Sequence, residues 1–113
     1  MAERLRVALI KGDGIGIDVA EAAVAVVDAA LARLGLASPV YEEIACGAGH
    51  YRETGQDIEP GGEARAGAAD AIFLGAIGLP SVRYPDGTEI SPHLRLRDRF
   101  GLYAGVRPVR AYP

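Results

Sequence analysis

Along this chain the spacing of apolar residues changes period several times. Val7-Ala8-Leu9-Ile10 is a short, unbroken apolar run of the kind found in buried strands. Gly12, Gly14 and Gly16 follow, and beyond them Ala20, Ala23, Val24, Val27, Leu31 and Leu34 recur at steps of three and four. That period builds one apolar stripe along a helix. Asp18 with Glu21 three positions later has the form of a capping box, and Gly35 stands where the helix should stop.

After Pro39, residues 40–45 read as a second strand, more polar because of Glu42 and Glu43. Gly47, Gly49 and Gly55 bracket a weak helical turn around His50-Tyr51-Arg52. Residues 60–69 read as an alanine-rich helix weakened by Gly61, Gly62 and Gly67, and Ala71-Ile72-Phe73-Leu74-Gly75 as a fully apolar third strand. Residues 78–92, with three prolines and two glycines, form a long loop containing a turn at Tyr84-Pro85-Asp86-Gly87. Leu96 and Phe100 then share a helix face, and residues 102–109 alternate as a further strand.

Strand, helix, strand, helix, strand implies parallel pairing through right-handed crossovers, so the fold class is α/β. Ligands of such sheets sit beyond the carboxyl ends of the strands. Residues 12–16 and 76–80 should therefore share one edge and face one crevice.

Charge and composition narrow the function. With 113 residues, half of them apolar, the chain has the size of one domain and contains no membrane-length apolar run. Its start lacks the pattern of a signal peptide. A net charge of −3 argues against nucleic-acid binding, yet residues 95–110 hold five arginines and one acid, which suits capture of a small anion. The single cysteine, Cys46, forms no intrachain disulfide and reads as a small buried residue, so a cytoplasmic location is expected. His50 lacks companions at metal-ligand spacing and reads as a solvated loop histidine.

The glycine turn does not match G-x-G-x-x-G, because Ile17 stands where the third glycine would be, and no Lys-Ser or Lys-Thr follows for a phosphate loop. Gly-Asp-Gly-Ile-Gly after a strand instead resembles the opening of the β-decarboxylating dehydrogenases, the isocitrate, isopropylmalate, homoisocitrate and tartrate/malate enzymes. The segment Leu-Arg, then Leu-Tyr-Ala, then Val-Arg-Pro between Leu96 and Pro108 resembles the substrate-arginine region of the same family. The resemblance spans nearly the whole chain. It implies a three-layer α/β/α architecture with a mainly parallel sheet, isopropylmalate dehydrogenase-like and incomplete, with residues 1–113 as the N-terminal part of the dehydrogenase domain.

By position, the resemblance makes Arg97 and Arg107 the two arginines that grip the carboxylates of a 2-hydroxy diacid. A guanidinium is a permanently charged planar fork matched to carboxylate, whereas Arg95, Arg99 and Arg110 read as surface ion pairs. Ser91 falls where the family contacts the variable end of the substrate. His93 and Leu94 fall where isopropylmalate enzymes carry aliphatic residues, and the polar His93 points away from an isopropyl group toward a more polar substituent, as does the resemblance of the Pro-Asp-Gly stretch to the tartrate/malate group. Ile15, between Gly14 and Gly16, matches a position that packs on the cofactor. Glu89 lies one place from the glutamate that isopropylmalate enzymes keep near the nicotinamide.

The reaction so implied is oxidation of the 2-hydroxyl by NAD or NADP, followed by Mg²⁺- or Mn²⁺-assisted loss of the β-carboxylate, in a homodimer. The metal ligands and the acid/base Lys and Tyr lie, in the family, C-terminal to the segment matched here, so no catalytic residue is assigned in this chain. The alternative is a free-standing anion-binding or interaction module without catalysis.

Overall fold

A computed structural model describes residues 3–113. At its centre lies a three-stranded parallel sheet: β1 (Arg6–Gly12), β2 (Val40–Glu43) and β3 (Ala71–Ala76), in the order β2-β1-β3. β1 lies in the middle, and its Ala8, Leu9 and Ile10 are buried because helices cover both faces of the sheet there. Val7 pairs in register with Tyr41 and Ala71, and Ala8 with Glu42 and Ile72. Since side chains alternate, Val7, Leu9 and Phe73 face one way, and Ala8, Ile10 and Ile72 the other.

The first face is covered by α1 (Ile15–Arg33), whose Val24 and Val27 line an apolar gap of about 170 Å³ with Val7, Tyr41 and Phe73. Ala8, Ile10, Ile44, Cys46, Ile58, Ala66 and Leu96 form the core on the other face. Ala66 comes from α3 (Gly62–Ala68) and Leu96 from α4 (Pro92–Arg99); α2 (Ala48–Thr54) follows β2. Helix, sheet and helices make the expected three layers.

Several local expectations need correction. α1 begins at Ile15 with Gly14 as its N-cap and no side-chain cap, so Asp18 and Glu21 lie inside the helix and form no capping box. The tight turn from β1 has already started the helix before Asp18 is reached. At the other end, Gly35 (φ 70°) closes α1 as expected: its N–H reaches the Ala32 carbonyl and that of Leu36 the Leu31 carbonyl, a Schellman motif. Leu34, counted on the apolar stripe, is 71% exposed because it is the helix C-cap and has turned away from the sheet.

The turn at Tyr84–Gly87 is present, closed by Gly87 N–H donating to Tyr84 O at 2.8 Å. The strand expected over residues 102–109 is not formed. After α4 the chain runs in irregular, exposed backbone to Pro113, because alternation predicts an extended segment but supplies no partner strand.

Candidate functional site

The residue that organises the carboxyl edge of the sheet is Asp13, which sequence reasoning did not single out. It is 7% exposed and its carboxylate accepts from the N–H groups of Ala48 (2.7 Å), Gly49 (2.8 Å) and Gly78 (2.8 Å). One carboxylate thus joins the turn after β1, the start of α2 and the loop after β3. Asp13 N–H also donates to Ala76 O at 2.7 Å. Only its place between two glycines could have drawn attention to it, since its partners lie far along the chain.

Gly16 and Gly75 allow this crossing to close. A Cβ on Gly16 would stand 2.6 Å from Lys11 O, and one on Gly75 would stand 2.1 Å from the same oxygen, so backbone meets backbone where any side chain would collide. Gly14, in contrast, has open space on its outer side, and Ile15 beside it is 74% exposed. Gly14 and Ile15 thus present an open surface at the carboxyl edge, whereas Gly16, expected beside them at the cofactor, is buried against the strands.

Two clefts flank that edge. A larger one of about 450 Å³ is lined by Gly12, Asp13, Gly14, Ile17, Cys46, His50 and Leu79, among others. A smaller one of about 250 Å³ is formed by residues 77–80 with Glu89 and Ile90. Leu79 lines both, so the clefts adjoin and the segments expected at one edge are brought together. Glu89 is exposed with Arg83 at 3.6 Å, while its neighbour Ile90 is buried.

α4 presents different chemistry on different sides. At 3.6 residues per turn, Pro92, Leu96 and Phe100 fall on the side that packs inward, and Pro92 and Leu96 are buried. Arg95 and Arg99 fall on one flank and both reach Glu63 of α3; Arg95 also pairs with Asp57. His93 and Arg97 fall on the opposite flank, Leu94 (53% exposed) points outward, and Ser91 is the N-cap. Among the described residues Arg97 has no carboxylate partner, and neither has Arg107.

A second Schellman turn ends α4, with Gly101 N–H on Asp98 O and Leu102 N–H on Arg97 O. It folds the tail back so that a Cβ on Gly105 would stand 3.9 Å from Arg97 Nη2. Arg107 lies two residues further along that exposed tail. Arg110 sits over the Tyr112 ring at 5.9 Å instead of in an ion pair.

Burial pushes the Cys46 thiol up to about 12, with the Asp57 charge adding to it. Cys46 is therefore an inert core residue. His50 is not a solvated loop residue: it lies on α2, half-buried, and its Nε2 is enclosed without a partner. His93 Nδ1 is enclosed and unpartnered as well. Among the described residues no three His, Cys, Asp or Glu side chains gather as a metal site, so no step through a metal is derived from this chain. No described helix is long and apolar enough to cross a membrane.

A parallel three-stranded sheet with a glycine-lined carboxyl edge and helices on both faces defines an α/β domain. The isocitrate/isopropylmalate dehydrogenase family model matches residues 6–113, and the chain belongs to that family. It is similar to the 3-isopropylmalate dehydrogenases of Thermobifida fusca (39% identical, 99% of this chain and 31% of the relative) and Gloeobacter violaceus (34% identical, 100% and 32%). Its fold matches a β-decarboxylating dehydrogenase from Thermococcus kodakarensis, solved in apo form, with a TM-score of 0.68 and 34% identity over 88% of this chain and 27% of that one. The chain thus spans about a third of the length of the curated relatives it matches.

Proposed function

We propose that this chain forms the N-terminal part of a cytoplasmic, homodimeric enzyme that oxidises a 2-hydroxy diacid with NAD or NADP and, with Mg²⁺ or Mn²⁺ held by residues outside this segment, removes its β-carboxylate. The observation that carries the reading is Arg97. Of the three α4 arginines it alone has no acidic partner among the described residues, and the tail leading to Arg107 passes beside it. Two guanidinium forks on neighbouring segments suit the two carboxylates of a diacid. NAD(P)⁺ lying against Gly14 and Ile15, on the turn that the buried Gly16 lets close, would accept the hydride from the hydroxyl-bearing carbon, with Glu89 bordering the adjoining cleft.

His93 and Ser91 face the variable end of the substrate in this reading. A polar, half-buried histidine where an isopropyl group would meet an aliphatic side chain favours a polar substituent, such as the hydroxyl of tartrate or the carboxylate of isocitrate, and D-malate also fits. A second reading, 3-isopropylmalate, is favoured by the exposed Leu94 and by the names of the relatives.

The test assays the parent enzyme with D-malate, tartrate, isocitrate and 3-isopropylmalate against both dinucleotides. Arg97→Lys and Arg107→Lys should each lose a charge-assisted hydrogen bond of about 1.5–3 kcal/mol. That corresponds to roughly 10- to 100-fold weaker diacid binding, with Arg110→Lys near wild type. Equal losses at all three positions overturn the arginine assignment, and isopropylmalate as clearly the best substrate overturns the role given to His93. Anion binding without turnover of any diacid would favour the non-catalytic module.

A further inference from the structure

Asp57, in the connection between α2 and α3, holds two separate elements of the candidate site with one carboxylate. Its backbone oxygen is fixed by the Gly47 N–H at 2.8 Å, beside an antiparallel bridge between Cys46 and Ile58. The carboxylate accepts from both terminal nitrogens of Arg95, each at 2.8 Å, and from the Tyr84 hydroxyl. Arg95 Nε continues to Glu63 on α3. The Tyr84 ring meets Tyr51 of α2 edge to face, with centroids 5.4 Å apart.

These contacts act on two elements. Arg95 fixes the flank of α4 opposite His93 and Arg97, so holding Arg95 sets the rotation of α4 about its axis and with it the aim of Arg97. Tyr84 lies in the hairpin that the Arg83–Glu89 bridge closes, so holding Tyr84 places the wall of the smaller cleft, and its hydroxyl also accepts from the N–H of Ser91, the α4 N-cap, at 3.5 Å. The Arg95 guanidinium accordingly holds the Asp57 carboxyl below the usual carboxylate range.

We propose that Asp57 is a positioning residue that aligns the diacid-binding flank of α4 with the dinucleotide-side hairpin. It touches neither ligand and acts through Arg95 on one and through Tyr84 on the other. The proposal rests on the diacid dehydrogenase reading for its catalytic consequence but not for its structural one.

The test compares Asp57→Asn, Tyr84→Phe and Arg95→Met in the parent enzyme, reading amide hydrogen exchange and separate KM values for diacid and dinucleotide. Asp57→Asn should quicken exchange in residues 92–99 and 83–89 much more than in β1 and α1, and should raise both KM values by roughly tenfold, as small misplacements of binding groups do. Arg95→Met should raise the diacid KM alone, and Tyr84→Phe the dinucleotide KM more than the diacid KM. A general loss of stability would not divide in this way. Unchanged exchange at both segments in Asp57→Asn overturns the network, and loosened segments with unchanged KM values overturn its role in binding. Should the wild-type enzyme turn over no diacid, the functional reading falls, while the exchange pattern still decides whether Asp57 aligns the two elements.

Discussion

Gly78 donates its backbone N–H to the Asp13 carboxylate at 2.8 Å, across 65 positions of sequence. With Ala48 and Gly49 as further donors, this bond makes the loops after all three strands one connected structure. The ligand edge is therefore pre-formed.

Asp13→Ala should remove that connection and leave three N–H groups without their acceptor, of which that of Ala48 is buried. At about 1–3 kcal/mol for a buried unsatisfied group, with less for the two that water can reach, the loss should be at least about 1 kcal/mol. Urea unfolding of the parent enzyme and its variant measures this, and a variant within about 0.5 kcal/mol of the parent, the range of ordinary surface substitutions, would contradict the role given to Asp13.

Cys46 should be silent in the folded chain. Its thiol is buried and pushed up to about 12, so at pH 8 it exposes almost no thiolate to alkylation. Iodoacetamide should modify it only after urea is added, and rapid labelling of the native chain would show that the core between the sheet and α3 is not closed.

Acid should weaken the fold through Asp57. The carboxyl is held below its unfolded value, chiefly by Arg95, so its contribution is complete above the unfolded value and is lost as pH falls through the folded one. The urea midpoint should hold steady from pH 8 to about 5 and drop below about 4. Asp57→Asn should be less stable at neutral pH and show a shallower decline in acid; an identical decline would assign the acid sensitivity to other carboxylates.

Residues 1–113 expressed alone should be marginally stable, should self-associate and should show no NAD(P)-linked oxidation of a diacid. Leu74 on the outer strand β3 is 41% exposed, Val40 on β2 is exposed, and Tyr103, Val106 and Val109 lie bare on the tail. Uncovered strand edges and apolar patches pair with other chains. Light scattering that finds a monomer, together with cooperative unfolding and measurable turnover, would refute this.

Features set by neighbours in sequence were legible without the structure. The apolar run of β1, the three- and four-residue steps of α1, the stop at Gly35 and the turn at Tyr84–Gly87 each depend on a few adjacent residues whose backbone preferences agree. The α/β class followed from their order, and the family from the glycine turn and the arginine segment together.

What tertiary structure alone decided are the contacts between distant residues. The sequence did not indicate that Asp13 would cap α2 and hold Gly78, that Arg95 would bind Asp57 while Arg97 stayed unpaired, or that His50 and His93 would each enclose a ring nitrogen. Nor could alternation at residues 102–109 make a strand, because a strand exists only when another backbone lies beside it. Periodicity and turn chemistry are properties of a segment, whereas partner choice depends on which segments the folded sheet brings within hydrogen-bonding distance.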